Sequence, residues 1–256
     1  MVRLFSLVAA ATLAAACALS APSRAAAPAA VCGGGVYSYA GIGGRVRVSG
    51  VSAAIAPTAA PSVRDGHVDG WVGVGGPGEG PKGADEWIQV GLTSVPNDAT
   101  NSIYYEIVRP GHGDVTRMLR HGVGVGEQHA FAVREIASRP NWWRVWLDGS
   151  AASPPIFLAS SHARWRAQAV GESWAGMRSG PCNSYAYAFA KVASVSVRDS
   201  VWRPFGHVDS YQDANYTLVR QSPSSFLARS VAAPLVRVVT DQGTLPDAPI
   251  VTQQLP

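Results

Sequence analysis

Gly44-Arg45-Val46-Arg47-Val48-Ser49-Gly50-Val51 sets Arg45, Arg47 and Ser49 against Val46, Val48 and Val51. A period of two is that of a β-strand with one wet face and one buried face. Working outward, similar extended runs occur at 71–74, 86–92, 102–108, 129–136, 142–147, 164–170, 184–197 and 216–220. Turn chemistry separates them: Asn97-Asp98, Pro110-Gly111, Pro140-Asn141, Asp148-Gly149 and Ser222-Pro223. No segment sustains helical spacing behind a capping residue for three turns. Short strands punctuated by turns predict an all-β, antiparallel fold, either a β-sandwich or a barrel. Residues 129–147 read as a hairpin around Ser138-Arg139-Pro140-Asn141. Trp142, Trp143 and Trp146 are expected to pack in the core, although Trp142 and Trp143, being consecutive in a strand, must face opposite ways.

The 256 residues divide into three parts. Residues 1–30 carry an early Arg3, an apolar run and an alanine-rich stretch ending near Ala27, as a secretory signal does. Cys17 lacks the bulky aliphatic expected three positions before a lipidated cysteine. Residues 31–231 form the β-domain, and 232–256, punctuated by Pro234, Pro246, Pro249 and Pro256, form an extended or disordered arm. Export makes Cys32 and Cys182 candidates for a disulfide, with two separate thiols as the alternative. The formal charge of +4 includes Arg3 and Arg24, and the remaining arginines are scattered through the strands. Without a basic cluster, nucleic acid is not an expected partner. A secreted monomer with no stable membrane insertion is expected.

Two strands each contain a polar side chain that is out of place. Trp87-Ile88-Gln89-Val90-Gly91-Leu92 holds Gln89, and Ala167-Gln168-Ala169-Val170-Gly171-Glu172-Ser173-Trp174 holds Glu172. Either could simply satisfy backbone groups at a strand end. Facing one cleft, they would combine a carboxylate that takes a proton from water with an amide that donates to an oxyanion.

Three tempting motifs fail on context. Gly73-Val74-Gly75-Gly76-Pro77-Gly78 has dinucleotide-site spacing but continues Glu-Gly-Pro-Lys-Gly, which cannot open the helix that binds a pyrophosphate. Gly171-Glu172-Ser173-Trp174-Ala175, followed by Asp199 and His207, mimics a hydrolase nucleophile elbow, yet a loop rather than a helix follows it. His67, His112, His121, His129, His162 and His207 are dispersed without local metal-ligand spacing, so no metal or other cofactor is expected.

Taken in order, the blocks at 37–41, Gly70-Trp71-Val72-Gly73-Val74-Gly75-Gly76, Ile88-Gln89-Val90-Gly91, Tyr104-Tyr105-Glu106, 167–172 and 186–192 resemble those of the glutamic peptidases, or eqolisins. The resemblance implies a concanavalin A-like jelly-roll sandwich with its active site on the concave face. It places the catalytic glutamine on Gln89 and the catalytic glutamate on Glu172. It implies a secreted endopeptidase working at acidic pH on protein or peptide substrates. Trp71, Trp87, Tyr105, Glu106 and Trp174 are candidate substrate-binding residues, and Tyr104 is a further aromatic candidate for the groove. The family's Trp-Val-Gly-Ile-Asp-Gly block has Gly75 here in place of its aspartate, and Gly171 precedes the glutamate. A lectin-like module that binds carbohydrate or peptide without cleavage is the alternative on the same architecture.

Overall fold

The computed structural model describes residues 31–198, 201–205 and 207–231, so the signal and arm expected at 1–30 and 232–256 lie outside the described residues. Along the chain run β1 (Val31–Cys32), β2 (Tyr37–Pro57), β3 (His67–Gly76), β4 (Glu86–Ser94), β5 (Asn101–Arg109), β6 (Gly113–Val123), β7 (His129–Glu135), β8 (Trp142–Leu147) and β9 (Ser150–Ala151). These are followed by β10 (Ile156–Phe157), β11 (Arg166–Trp174), β12 (Gly180–Pro181), β13 (Ala186–Ser196), β14 (Trp202–Pro204), β15 (Val208–Gln212), β16 (Tyr216–Ser222) and β17 (Ser225–Ser230). A single 3₁₀ turn at Pro81–Gly83 is the only helical piece among the described residues, and no helix there is long and apolar enough to cross a membrane.

The strands form an antiparallel sandwich. The front sheet runs β15-β2-β11-β3-β4-β5-β6. The back sheet runs β10-β8-β7-β2-β13-β17-β16. The 21-residue β2 belongs to both: it pairs with β11 as far as Arg47 and with β13 from Val48 onward. The alternating stretch 44–51 is therefore the crossing point between the sheets. Val46 is exposed there rather than buried, because the strand is changing faces, while Val48 and Val51 enter the core.

Between the sheets, Val72, Val74, Ile88, Val90, Leu92 and Ile103 meet Phe131, Val133, Val145, Tyr187 and Phe189. Burying a large aliphatic or aromatic side chain is worth roughly 1.5–3 kcal/mol, so this layer holds the front sheet in place. Trp143 is fully buried and stacks on Trp165 at 5.9 Å, with its indole N–H donated to Ser161 Oγ at 2.7 Å. Its neighbour Trp142 faces the other way, half-buried under the Arg139 guanidinium, and Trp146 is also only half-buried.

Cys32 and Cys182 form a disulfide that joins β1 to β12. Strand β6 is exposed along most of its length at the sheet edge, with Val123 buried and Leu119 packed against the core, and Arg117 and Arg120 guard it against pairing with another chain.

Candidate active site

The site is built on the outer face of the front sheet. On β3 the residues at alternate positions, His67, Asp69, Trp71, Gly73 and Gly75, share one face. The register then fixes their neighbours: Asp69 lies across from Glu172 of β11, Gly73 across from Gln89 of β4, and Gln89 across from Glu106 of β5. Tyr39 of β2 lies across from Glu172 on its other side. A cavity of about 420 Å³ opens over this face, lined by Gln89, Glu172, His67, Trp71, Trp87 and Glu106, with Tyr37, Tyr39, Gln168, Tyr211 and Asp114 around them.

Glu172 is buried and held at both oxygens. Trp71 donates its indole N–H to Oε2 at 2.7 Å, and His67 Nε2 stands 3.4 Å from Oε1. The same His67 nitrogen is 3.6 Å from Asp69 Oδ2. Burial by itself would lower the His67 pKa, but the Glu172 hydrogen bond and the charges of Asp69, Glu172 and Glu106 outweigh it and raise the ring to about 9. Burial pushes the Asp69 carboxyl up to about 7 against the pull of His67. The donor atoms of His67, Asp69 and Glu172 all lie within 4.8 Å of one another, a spacing that a divalent cation could also bridge.

Gln89 is buried, and its amide nitrogen donates to Tyr104 Oη at 2.9 Å. Tyr104 in turn donates to Asp69 Oδ2 at 3.0 Å. On the far side Trp87 donates its indole N–H to Glu106 Oε1 at 3.0 Å. Burial raises the Glu106 pKa, opposed by that bond.

The same architecture is found in solved structures. Scytalido-glutamic peptidase, determined with a peptide-based transition-state analogue, superposes with a TM-score of 0.53 at 17% identity over 76% of this chain and 97% of its own. SCP-B, a member of the eqolisin family of peptidases determined with the tripeptide Ala-Ile-His, gives a TM-score of 0.50 at 16% identity, covering 75% of this chain and 97% of its own. The chain has the glutamic-peptidase fold. No known family's sequence pattern and no curated protein matches it.

Within that glutamic-peptidase fold, the sequence-predicted residues separate into two groups. Gln89, Glu172, Trp71, Trp87 and Glu106 converge on the cavity. Trp174 stands at the rim, its ring 5.6 Å from that of His67 and 6.2 Å from that of Tyr37. Tyr105 does not reach the cleft: it points into the core, while its neighbours Tyr104 and Glu106 take the outer face. Ser173 likewise is buried near the end of β11, one residue from Glu172 and so on the opposite face.

Two departures from the glutamic-peptidase motif have a steric cause. Gly75 has φ +88°, and a Cβ there would lie 2.4 Å from Glu86 O, so no side chain can stand where the motif has its aspartate. At Gly171 a Cβ would meet the Tyr185 ring at 2.5 Å. The buried carboxylate beside Glu172 is instead Asp69, six positions earlier on β3.

His67, Asp69 and the hydroxyl of Tyr104 are the functional groups that sequence reading missed. Their signal was present: His67, Asp69 and Trp71 are spaced by two, so a strand containing Trp71 carries all three on one face.

Proposed function

We propose that this chain is a secreted endopeptidase in which Glu172 and Gln89 hydrolyse peptide bonds by activating water. The observation that carries the reading is that a buried carboxylate, oriented by Trp71 at 2.7 Å, shares one cavity with a buried amide in a fold whose solved examples hold peptide ligands. The disulfide fits an oxidising compartment.

Ionised Glu172 takes a proton from water as that water attacks the scissile carbonyl carbon. A free N–H of Gln89 donates to the oxyanion that forms. Protonated Glu172 then hands its proton to the departing nitrogen, which is a poor leaving group as an amide anion. Trp71 fixes the carboxylate in the orientation for both transfers. His67, protonated, supplies a positive charge against the two buried carboxylates. Trp71, Trp87, Tyr37, Tyr39 and Tyr211 give an extended peptide apolar contact along the cleft.

A second reading rests on the same aromatic lining: rings around a cleft with carboxylates also suit a non-catalytic sugar-binding module. One experiment separates the two. The purified chain is incubated with a denatured protein from about pH 3 to 8, which also tests the acidic preference, and fragments are read by mass spectrometry. New peptide termini that vanish in Glu172→Gln support the peptidase; retention on immobilised glycan with no fragments at any pH overturns it.

A further inference from the structure

Below the cavity floor lies a polar chain that the dyad chemistry alone does not require. Gln89 donates to Tyr104, and Tyr104 donates to Asp69. Both supporting residues are out of reach of bulk water: Tyr104 is 1% and Asp69 4% exposed. Gly91 pairs with Trp71 on one side and Tyr104 on the other, so no side chain stands between those two rings on that face.

A glutamine amide has an oxygen and a nitrogen of nearly equal size, and its direction is decided by its partners. A phenol has one proton. An ionised carboxylate has none to give, so Tyr104 must spend its proton on Asp69. The Tyr104 oxygen then offers only lone pairs, and the side of Gln89 that meets it must be the NH₂. One amide N–H is thereby used, and the second is left for the cavity. Reversed, the amide would present its carbonyl to Tyr104 and change which group faces a developing oxyanion.

We propose that Asp69 and Tyr104 are positioning residues that lock the Gln89 amide with its nitrogen toward Tyr104, so that its remaining N–H is the oxyanion donor. The catalytic part of this inference rests on the Glu172–Gln89 reading; the amide orientation does not.

The test uses three variants of the full chain, with kinetics read at the highest pH at which wild type cleaves and amide exchange read at about pH 8, because the lock needs Asp69 ionised and burial pushes its carboxyl up to about 7. Tyr104→Phe keeps the ring and removes the lock, so kcat falls about tenfold or more with KM within about twofold. Asp69→Asn goes further: the new amide can donate to the Tyr104 oxygen, freeing the phenolic proton for the Gln89 carbonyl and turning the amide the wrong way. Its kcat loss therefore exceeds that of Tyr104→Phe. The double variant, with no phenolic proton to misdirect, returns to the Tyr104→Phe level, a recovery that loss of folding does not produce. Independently of activity, NMR on the wild-type chain is expected to show one Gln89 side-chain amide proton exchanging more slowly than a free glutamine's, with the protection lost in Tyr104→Phe.

Folded Tyr104→Phe with wild-type kcat, or a wild-type Gln89 amide whose two protons both exchange at the free rate, overturns the lock. An active Glu172→Gln overturns the dyad instead, and the exchange measurement still decides the orientation of Gln89.

Discussion

Gln89 and Glu172 stand at the two ends of one chain of polar contacts, buried except at the half-buried His67: Gln89 to Tyr104 at 2.9 Å, Tyr104 to Asp69 at 3.0 Å, Asp69 to His67 at 3.6 Å and His67 to Glu172 at 3.4 Å. The proposed base and the proposed oxyanion donor are thus organised by the same strand, β3, which supplies His67, Asp69 and Trp71. Buried polar groups are costly unless each has its partners, so changes in the middle of this chain act on both ends.

Trp71 is the nearest support of Glu172, the proposed base. Trp71→Phe keeps the ring packing and removes the N–H that Glu172 accepts at 2.7 Å. A hydrogen bond to a charged group contributes about 1.5–3 kcal/mol, so kcat is expected to fall about ten- to a hundredfold with little change in KM. Steady-state kinetics on a single peptide substrate measures this, and an unchanged kcat contradicts the role given to Trp71.

Much of this fold is legible in the sequence. The period-two runs, the turns between them and the two polar residues in apolar strands were read from composition and spacing alone. The ordered motif blocks added the architecture. What escaped has physical reasons. Strand β6 is exposed along most of its length and so carries little hydrophobic period. Val46 breaks the alternation because β2 changes sheets there, a tertiary event with no local signal. The motif puts Tyr105 in the cleft, whereas strand parity turns it into the core and gives the outer face to Tyr104 and Glu106. His67 and Asp69 gain meaning only once the register sets Asp69 across from Glu172.

Glu106 and Asp114 both line the cavity beside His67, whose ring pKa is raised to about 9. An acidic wall attracts a cationic side chain and repels an anionic one. Cleavage-site profiling is expected to show Lys or Arg preferred over Asp or Glu at one subsite, and Glu106→Gln with Asp114→Asn to remove that preference. A profile identical in wild type and double variant contradicts the assignment.

Away from the cleft, Glu86 is buried, and burial raises its carboxyl from the ordinary 4.5 to about 7. A carboxyl with a raised folded-state pKa contributes stability that is complete below its unfolded value and lost as pH rises through the folded one. The Glu86 contribution therefore falls between about pH 4.5 and 7. Thermal melts are expected to show Glu86→Gln flattening that part of the Tm–pH curve and raising Tm at neutral pH. A curve unchanged by the substitution refutes the assignment to Glu86.

Glu172 and Gln89 are proposed to perform the hydrolysis together. The most direct measurement of this is the cleavage rate of a denatured protein by purified wild type, Glu172→Gln and Gln89→Ala, each shown to melt cooperatively. The expected result is cleavage by wild type, none by Glu172→Gln, and a loss of roughly a hundredfold to a thousandfold in Gln89→Ala, the usual cost of one oxyanion donor. Wild-type cleavage retained in Glu172→Gln would contradict the account.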